Sequence, residues 1–185
     1  MNKTHLTETR FSNLELSDSI LHGLSDAGFN NCTPIQDKAL PLLLRNKDIA
    51  GQAQTGTGKT ATFLLATFQH LINDDDCEDA GDMTPGMEEV EQRKERLPRA
   101  TQVALAGSEQ IKNPRAIILA PTRELAIQIH KDALLLSKYL NLKFSLIYGG
   151  TDYQKQLDTI KSNIDIIIGT PGRIIDFYKQ NAFTL

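Results

Sequence analysis

The octapeptide Ala53-Gln54-Thr55-Gly56-Thr57-Gly58-Lys59-Thr60 stands between two segments of different character. Asp48 to Ala53 has the length of a short strand, and Thr60 to Ile72 is apolar enough for a helix, so the octapeptide is expected to be the turn between them. Gly56 and Gly58 let backbone N–H groups approach an anion with no Cβ in the way, and the following helix points its positive end at the same place. Lys59 adds a point charge for the β and γ phosphates of a nucleotide, and the Thr60 hydroxyl can hold Mg²⁺. The general pattern for such a loop begins with glycine, and the matching position here is Ala53.

Outward from the loop the chain alternates. Before it, Ile20, Leu21, Leu24 and Ala27 give Ser17 to Ala27 the spacing of a helix with one buried face, stopped by Gly28. Thr33-Pro34-Ile35-Gln36 then reads as a helix start, with Thr33 as cap, Pro34 in the first turn and Gln36 completing a capping box, and that helix runs to about Leu44. Beyond residue 113 the expected order is strand Ala116 to Ala120, helix Glu124 to Leu140, strand Phe144 to Tyr148 and helix Thr151 to Ile160. Thr151 and Gln154 form a second capping box there. A third apolar strand, Asp165 to Gly169, leads into a helix from Pro171 to Lys179. This order predicts an α/β layered fold with a parallel sheet and right-handed crossovers.

Residues 73–113 break the rhythm, being rich in acids and dotted with Gly81, Pro85, Gly86, Pro98 and Gly107. They read as an acidic, flexible insertion with a short charged helix around Met87 to Leu97. Met1 to Arg10 is a polar lead, and 11–185 is expected to be one domain carrying the insertion. The formal charge of −3 is misleading as a whole-chain value. From Asp74 to Arg96 there are ten acids against three bases, which leaves +4 on the rest. A mildly basic domain with an acidic insert is compatible with a nucleic-acid surface. The polar start lacks the apolar stretch of a secretory signal and no apolar run approaches a membrane span, so the chain is expected to stay in the cytoplasm. Cys32 and Cys77 lie far apart with no metal-ligand spacing and are expected to be reduced bystanders, and His5, His22, His70 and His130 form no paired ligand motif.

The loop alone leaves a GTPase, a small-molecule kinase and a noncatalytic binding module open. A GTPase would want Asn-Lys-x-Asp, and Asn46-Lys47-Asp48-Ile49 has its aspartate one place early and lies ahead of the loop. Five motifs in order carry the reading further. They are Gly28-Phe29 through Thr33-Pro34-Ile35-Gln36 with Phe11 lying 17 positions before Gly28, then the loop, Pro121-Thr122-Arg123-Glu124-Leu125-Ala126, Gly149-Gly150, and Thr170-Pro171-Gly172-Arg173. Together they resemble the DEAD-box family of ATP-dependent RNA helicases, whose own variant of the loop opens with alanine. The segments Asn2 to Thr7 and Gly169 to Ala182 look like a bacterial branch of that family that works with the RNA degradation machinery.

The resemblance implies a RecA-like P-loop domain, a parallel sheet flanked by helices, incomplete at its C-terminus. It implies ATP and Mg²⁺ as cofactors. Phe11 would stack on the base and Gln36 would read its edge, since a carboxamide both donates to and accepts from adenine. Gln54, Thr55, Gly56, Thr57, Gly58, Lys59 and Thr60 would hold the phosphates, Lys59 and Thr60 taking part in catalysis and Thr60 holding the metal. Arg123, Gly149, Gly150, Thr170 and Arg173 would bind one RNA strand by its backbone, with no DNA specificity. The family's hydrolysis step also needs an Asp-Glu-Ala-Asp motif, a Ser-Ala-Thr motif and a second motor domain, none of which these residues contain. The chain by itself is therefore expected to bind ATP with little or no turnover.

Overall fold

Ala116–Leu119, Phe144–Ile147 and Ile166–Gly169 form strands β1, β2 and β3 of one parallel sheet in the order β1-β3-β2. β3 is central, with Ile166 opposite both Ala116 and Phe144, and Gly169 opposite both Leu119 and Ile147. The computed structural model describes residues 6–79 and 113–184. Its helices are α1 (Asp18–Asp26), α2 (Pro34–Leu43), α3 (Lys59–Asp79), α4 (Arg123–Leu136), α5 (Tyr153–Ile160) and α6 (Pro171–Lys179), preceded by a short 3-10 turn at Phe11–Asn13.

Both faces of the sheet are covered, which is why β3 is an unbroken apolar run and not an alternating one. Ile118, Ile166 and Ile168 pack with Leu24 of α1, Leu65 and Phe68 of α3, and Ala126, Ile129 and Ala133 of α4. On the opposite face Ile147 and Ile167 pack with Ile160 of α5 and with Ile174 and Phe177 of α6. Each such fully buried side chain contributes about 1.5–3 kcal/mol of transfer free energy, enough to hold a four-residue strand in place. The crossover β1-α4-β2 passes over β3 on one face, and β2-α5-β3 steps back on the other. Opposite directions on opposite faces give both crossovers the same hand.

Tight packing sets the helix positions. A Cβ on Gly23 would lie 2.4 Å from the Leu136 carbonyl oxygen, so α1 meets the end of α4 at a separation only glycine allows. Cys32 is buried, and burial pushes its thiol up to about 11, which keeps it protonated and unreactive.

Besides α4 ending at Leu136, a turn short of the expected Leu140, the structure departs from the sequence expectations in three places. Asp48 to Ala53 is not a strand. It pairs with no strand among the described residues, and from 48 to 52 every residue is exposed, so neither a ladder nor burial holds it extended. Second, the helix expected to end at Ile72 continues to Asp79. Its last turns are anchored by Arg115, whose Nη1 donates to the Leu71 carbonyl (3.1 Å) and to Asp75 Oδ1 (2.6 Å). Arg115 also pairs with Asp165 at 3.1 Å, and Asp165 accepts the Lys143 N–H at 2.9 Å, so the N-terminal ends of β1 and β3 and the tail of α3 meet in one network. The rest of the expected insertion, including the charged helix at Met87 to Leu97, and the side chain of Cys77 lie outside the described residues. Third, α5 is capped by Asp152, whose Oδ1 accepts from Gln154 N (3.0 Å) and Lys155 N (3.3 Å), and not by a Thr151–Gln154 box. A carboxylate is the stronger acceptor at a helix N-terminus, and the Thr151 hydroxyl is used elsewhere.

Candidate functional site

Because the strands are parallel, their C-terminal ends lie along one edge, and the expected RNA-contact residues follow them directly. Arg123 opens α4 after β1, Gly149-Gly150 follow β2, and Thr170 follows β3 as the residue before α6. Such an edge is where open α/β sheets place their ligands.

The loop is held by its own carbonyls and by α2. Lys59 Nζ donates to the carbonyls of Ala53 and of Gln54 (2.5 Å to the latter), and Thr57 Oγ1 donates to Gln54 O at 2.7 Å. Thr55 and Gly56 form the exposed tip, with Gly56 at φ +78°. Gly58 sits at φ +90°, and a Cβ there would come within 2.5 Å of Gln36 Nε2 and 3.2 Å of Thr33 Oγ1. Thr33 Oγ1 donates to the Thr57 carbonyl at 2.8 Å, and Gln36 Nε2 donates to the Gly58 carbonyl at 3.3 Å. The start of α2 therefore grips the loop directly, which is why only glycine fits at 58.

Gln36 is buried, and its Oε1 accepts the Thr33 N–H at 2.8 Å, the reciprocal arm of the expected capping box. Thr33 supplies the other arm of that box, and its hydroxyl also donates to the loop. Phe11 is 2% exposed and packs into the core beside Leu16, Ile20 and Leu24, so most of its ring is committed to packing. One edge of it lines a cavity of about 460 Å³ shared with Arg10, Leu24, Phe29, Asn30 and Asn31. Thr60 stands in the first turn of α3, and its hydroxyl makes no hydrogen bond among the described residues.

Arg123 is exposed and makes no ion pair or hydrogen bond among the described residues. Its guanidinium lies 4.9 Å from the Tyr148 ring centroid, and its Nη1 is 3.6 Å from where a Gly150 Cβ would stand. Gly150 has φ +82°, a conformation that favours glycine, whereas Gly149 has open space around it. Thr170 makes no side-chain cap bond, while its N–H donates to the Ile147 carbonyl at 2.9 Å. Arg173 lies over the Tyr153 ring at 5.1 Å and the Phe177 ring at 5.8 Å, and its Nη1 is buried with no hydrogen-bond partner among the described residues. Two arginines positioned on aromatic faces with donors unspent suit a polyanion.

Tyr148, Tyr153 and Gln156 were not singled out from sequence, and Thr33 was read as a cap within a motif, not as a hold on the loop. The signal for Gln156 was present. It shares a helix face with Tyr153, Leu157 and Ile160 in α5, a polar residue where the pattern wants an apolar one.

A family model described as DEAD/DEAH box helicase matches residues 33–185. Among relatives, the "ATP-dependent RNA helicase RhlB" of Pseudoalteromonas atlantica is 48% identical over 185 residues, covering 100% of this chain and 36% of the relative. The protein of the same name from Aliivibrio salmonicida is 51% identical over 180 residues, covering 97% of this chain and 35% of the relative. The chain thus spans about a third of the length of these relatives. A solved structure, that of a DEAD box protein from the hyperthermophile Methanococcus jannaschii, superposes with a TM-score of 0.69 at 32% identity, over 95% of this chain and 38% of the other.

Proposed function

The chain belongs to the DEAD/DEAH box helicase family, with its RecA-like fold, and on that premise we propose that it is the ATP- and RNA-binding portion of an ATP-dependent RNA helicase. The whole protein would couple ATP hydrolysis to local unwinding of RNA in the cytoplasm and serve RNA degradation alongside partners of that machinery. Residues 11–185 would be the first motor domain, with the acidic stretch 73–113 inserted in it. What supports the degradation role is the likeness of Asn2 to Thr7 and Gly169 to Ala182 to that bacterial branch. Among the described residues no helix is long and apolar enough to cross a membrane.

The observation that carries the reading is the junction of Gln36 and Thr33 with the loop at Gly58 and Thr57. Gln36 spends one lone pair on Thr33 and one N–H on Gly58, which leaves one acceptor and one donor side by side. That pair matches the edge of adenine and mismatches the reversed pattern of guanine. Phe11 would stack on the base with the small part of its ring that packing leaves uncovered. On binding, Lys59 would exchange the carbonyls of Ala53 and Gln54 for the β and γ phosphates, while Gln54 to Gly58 wrap them with backbone N–H groups.

Mg²⁺ fits the donors present, because it prefers few protein oxygens plus phosphate and water, and the unengaged Thr60 hydroxyl is such an oxygen. When bound, the ion would neutralise phosphate charge. Arg123, Arg173, the Thr170 hydroxyl and the Gly149-Gly150 turn would hold RNA through its backbone, with no sequence preference and no selectivity for a DNA site. The 185-residue chain alone would hold ATP with little or no turnover, because the hydrolysis step of the family it resembles needs carboxylate and second-domain elements that these residues do not contain.

Titration with fluorescent ATP and GTP analogues, with and without single-stranded RNA, tests this. ATP is expected to bind more tightly, and Gln36→Ala to narrow the gap by roughly tenfold, the value of one lost bidentate contact. Equal affinity for the two nucleotides in the unmutated chain would sink the adenine reading.

A further inference from the structure

The ladder of β2 ends at Ile147, yet the next residue is as firmly paired as if the strand continued. Gln156, buried in α5, accepts the Tyr148 N–H on its Oε1 at 3.2 Å and donates from Nε2 to the Tyr148 carbonyl at 3.1 Å. Its Nε2 also donates to Thr151 Oγ1, and that hydroxyl donates to the same Tyr148 carbonyl at 3.2 Å. One side-chain amide thus takes the part of a neighbouring strand, saturating both backbone groups of Tyr148 and closing the turn Tyr148-Gly149-Gly150-Thr151. The turn has little else to fix it, since Gly149 and Gly150 are exposed and no Cβ restrains either. Arg123 depends on the same residue, because its guanidinium rests on the Tyr148 ring beside Gly150.

We propose that Gln156 is a positioning residue for the RNA contact, holding the Gly149-Gly150 turn and the Tyr148 ring that aims Arg123. The proposal rests on the reading of this edge as an RNA site. Gln156 touches no RNA itself. It acts by keeping two mobile groups, a glycine pair and a long cation, within the narrow range of geometry that a backbone phosphate contact needs.

The test compares the full chain with Gln156→Met, of similar length without polar groups, and with Tyr148→Leu, which removes the ring and leaves the backbone pairing. Hydrogen exchange of the amides of 148–151, affinity for a fluorescent single-stranded RNA and affinity for a fluorescent ATP analogue are measured on each. Gln156→Met is expected to speed exchange at 148–151 and weaken RNA binding by roughly tenfold, the scale of a buried carbonyl left unpaired, with ATP affinity within about twofold of the parent. Tyr148→Leu should weaken RNA binding by a few-fold, roughly the value of a cation–π contact, with exchange at the turn unchanged. Gln156→Met with exchange and RNA affinity both at parental values would overturn the proposal, and so would faster exchange with unaltered RNA affinity. Parallel losses of ATP and RNA affinity would also overturn it, marking Gln156 as a general packing residue. An unmutated chain that fails to bind RNA, with Arg123→Ala no different, would instead bring down the reading of the edge, and the proposal with it.

Discussion

Arginine stands at both ends of the parallel sheet, and the two ends use it oppositely. At the N-terminal end Arg115 is largely covered, and its donors are spent on Asp75, Asp165 and the Leu71 carbonyl. Burial works against its charge, but Asp75 and Asp165 outweigh burial and raise its pKa. At the C-terminal end Arg123 has no hydrogen-bond or ion-pair partner among the described residues, and Arg173 keeps a buried Nη1 without a hydrogen bond beside Tyr153 and Phe177. The first end converts guanidinium donors into stability. The second leaves them unspent on aromatic supports, at a cost to stability, where a ligand can use them. Residue type therefore says little about role; the state of its hydrogen-bond donors says more.

Three experiments bear on that contrast, and a fourth sets its baseline. The largest expected effect is at Lys59, which holds only carbonyls of its own loop. Lys59→Ala should weaken ATP-analogue binding by on the order of a hundredfold, as loss of a charge-assisted phosphate contact implies, with a melting temperature near the parental one. A large drop in melting temperature would mean that the ligand edge is structural too, and the contrast would fail. Next is Arg115→Met, which leaves Asp165 covered and unpaired. It should lose about 2–4 kcal/mol of unfolding free energy in urea while the folded fraction binds nucleotide and RNA normally. Arg123→Ala should do the reverse, reducing single-stranded RNA affinity by roughly tenfold with unchanged stability. Its effect should shrink as salt rises.

The smallest effect belongs to neither end. His130, half-buried on α4 against Phe144, has its pKa lowered by burial. The unfolded chain therefore takes up a proton first, near pH 6.5, so stability is full above that value and falls as pH drops through it toward the folded pKa. Urea unfolding between pH 7.5 and 5.5 should show a loss of under about 1 kcal/mol that His130→Gln removes. Asp132, pushed up by burial, works in the opposite sense at lower pH.

Much of this contrast was legible in the sequence on one side and little of it on the other. The C-terminal edge was readable because glycines, a threonine cap and short motifs are local signals, and the strands were readable because coverage on both faces makes β1 and β3 apolar throughout and leaves Ser145 as the one polar residue of β2. The N-terminal network was not, since nothing near Asp75 announces a partner forty residues on, and α3 was accordingly expected to stop seven residues early. The segment from Asp48 to Ala53 shows the same limit. Apolar length suggests a strand, but whether a ladder meets it is settled by distant chain. Gln36 and Phe11 were both singled out from sequence, yet their burial comes from packing that no motif encodes.

The pairing of Asp75 with Arg115 also has a practical side. It holds two points far apart in the chain side by side, at the end of the sheet away from Arg123 and the Gly149-Gly150 turn. Asp74, exposed beside this fastening, is a place to attach a label or a surface tether. The molecule could then be immobilised or labelled by its back, with the edge that carries Arg123 and Arg173 left facing the solution.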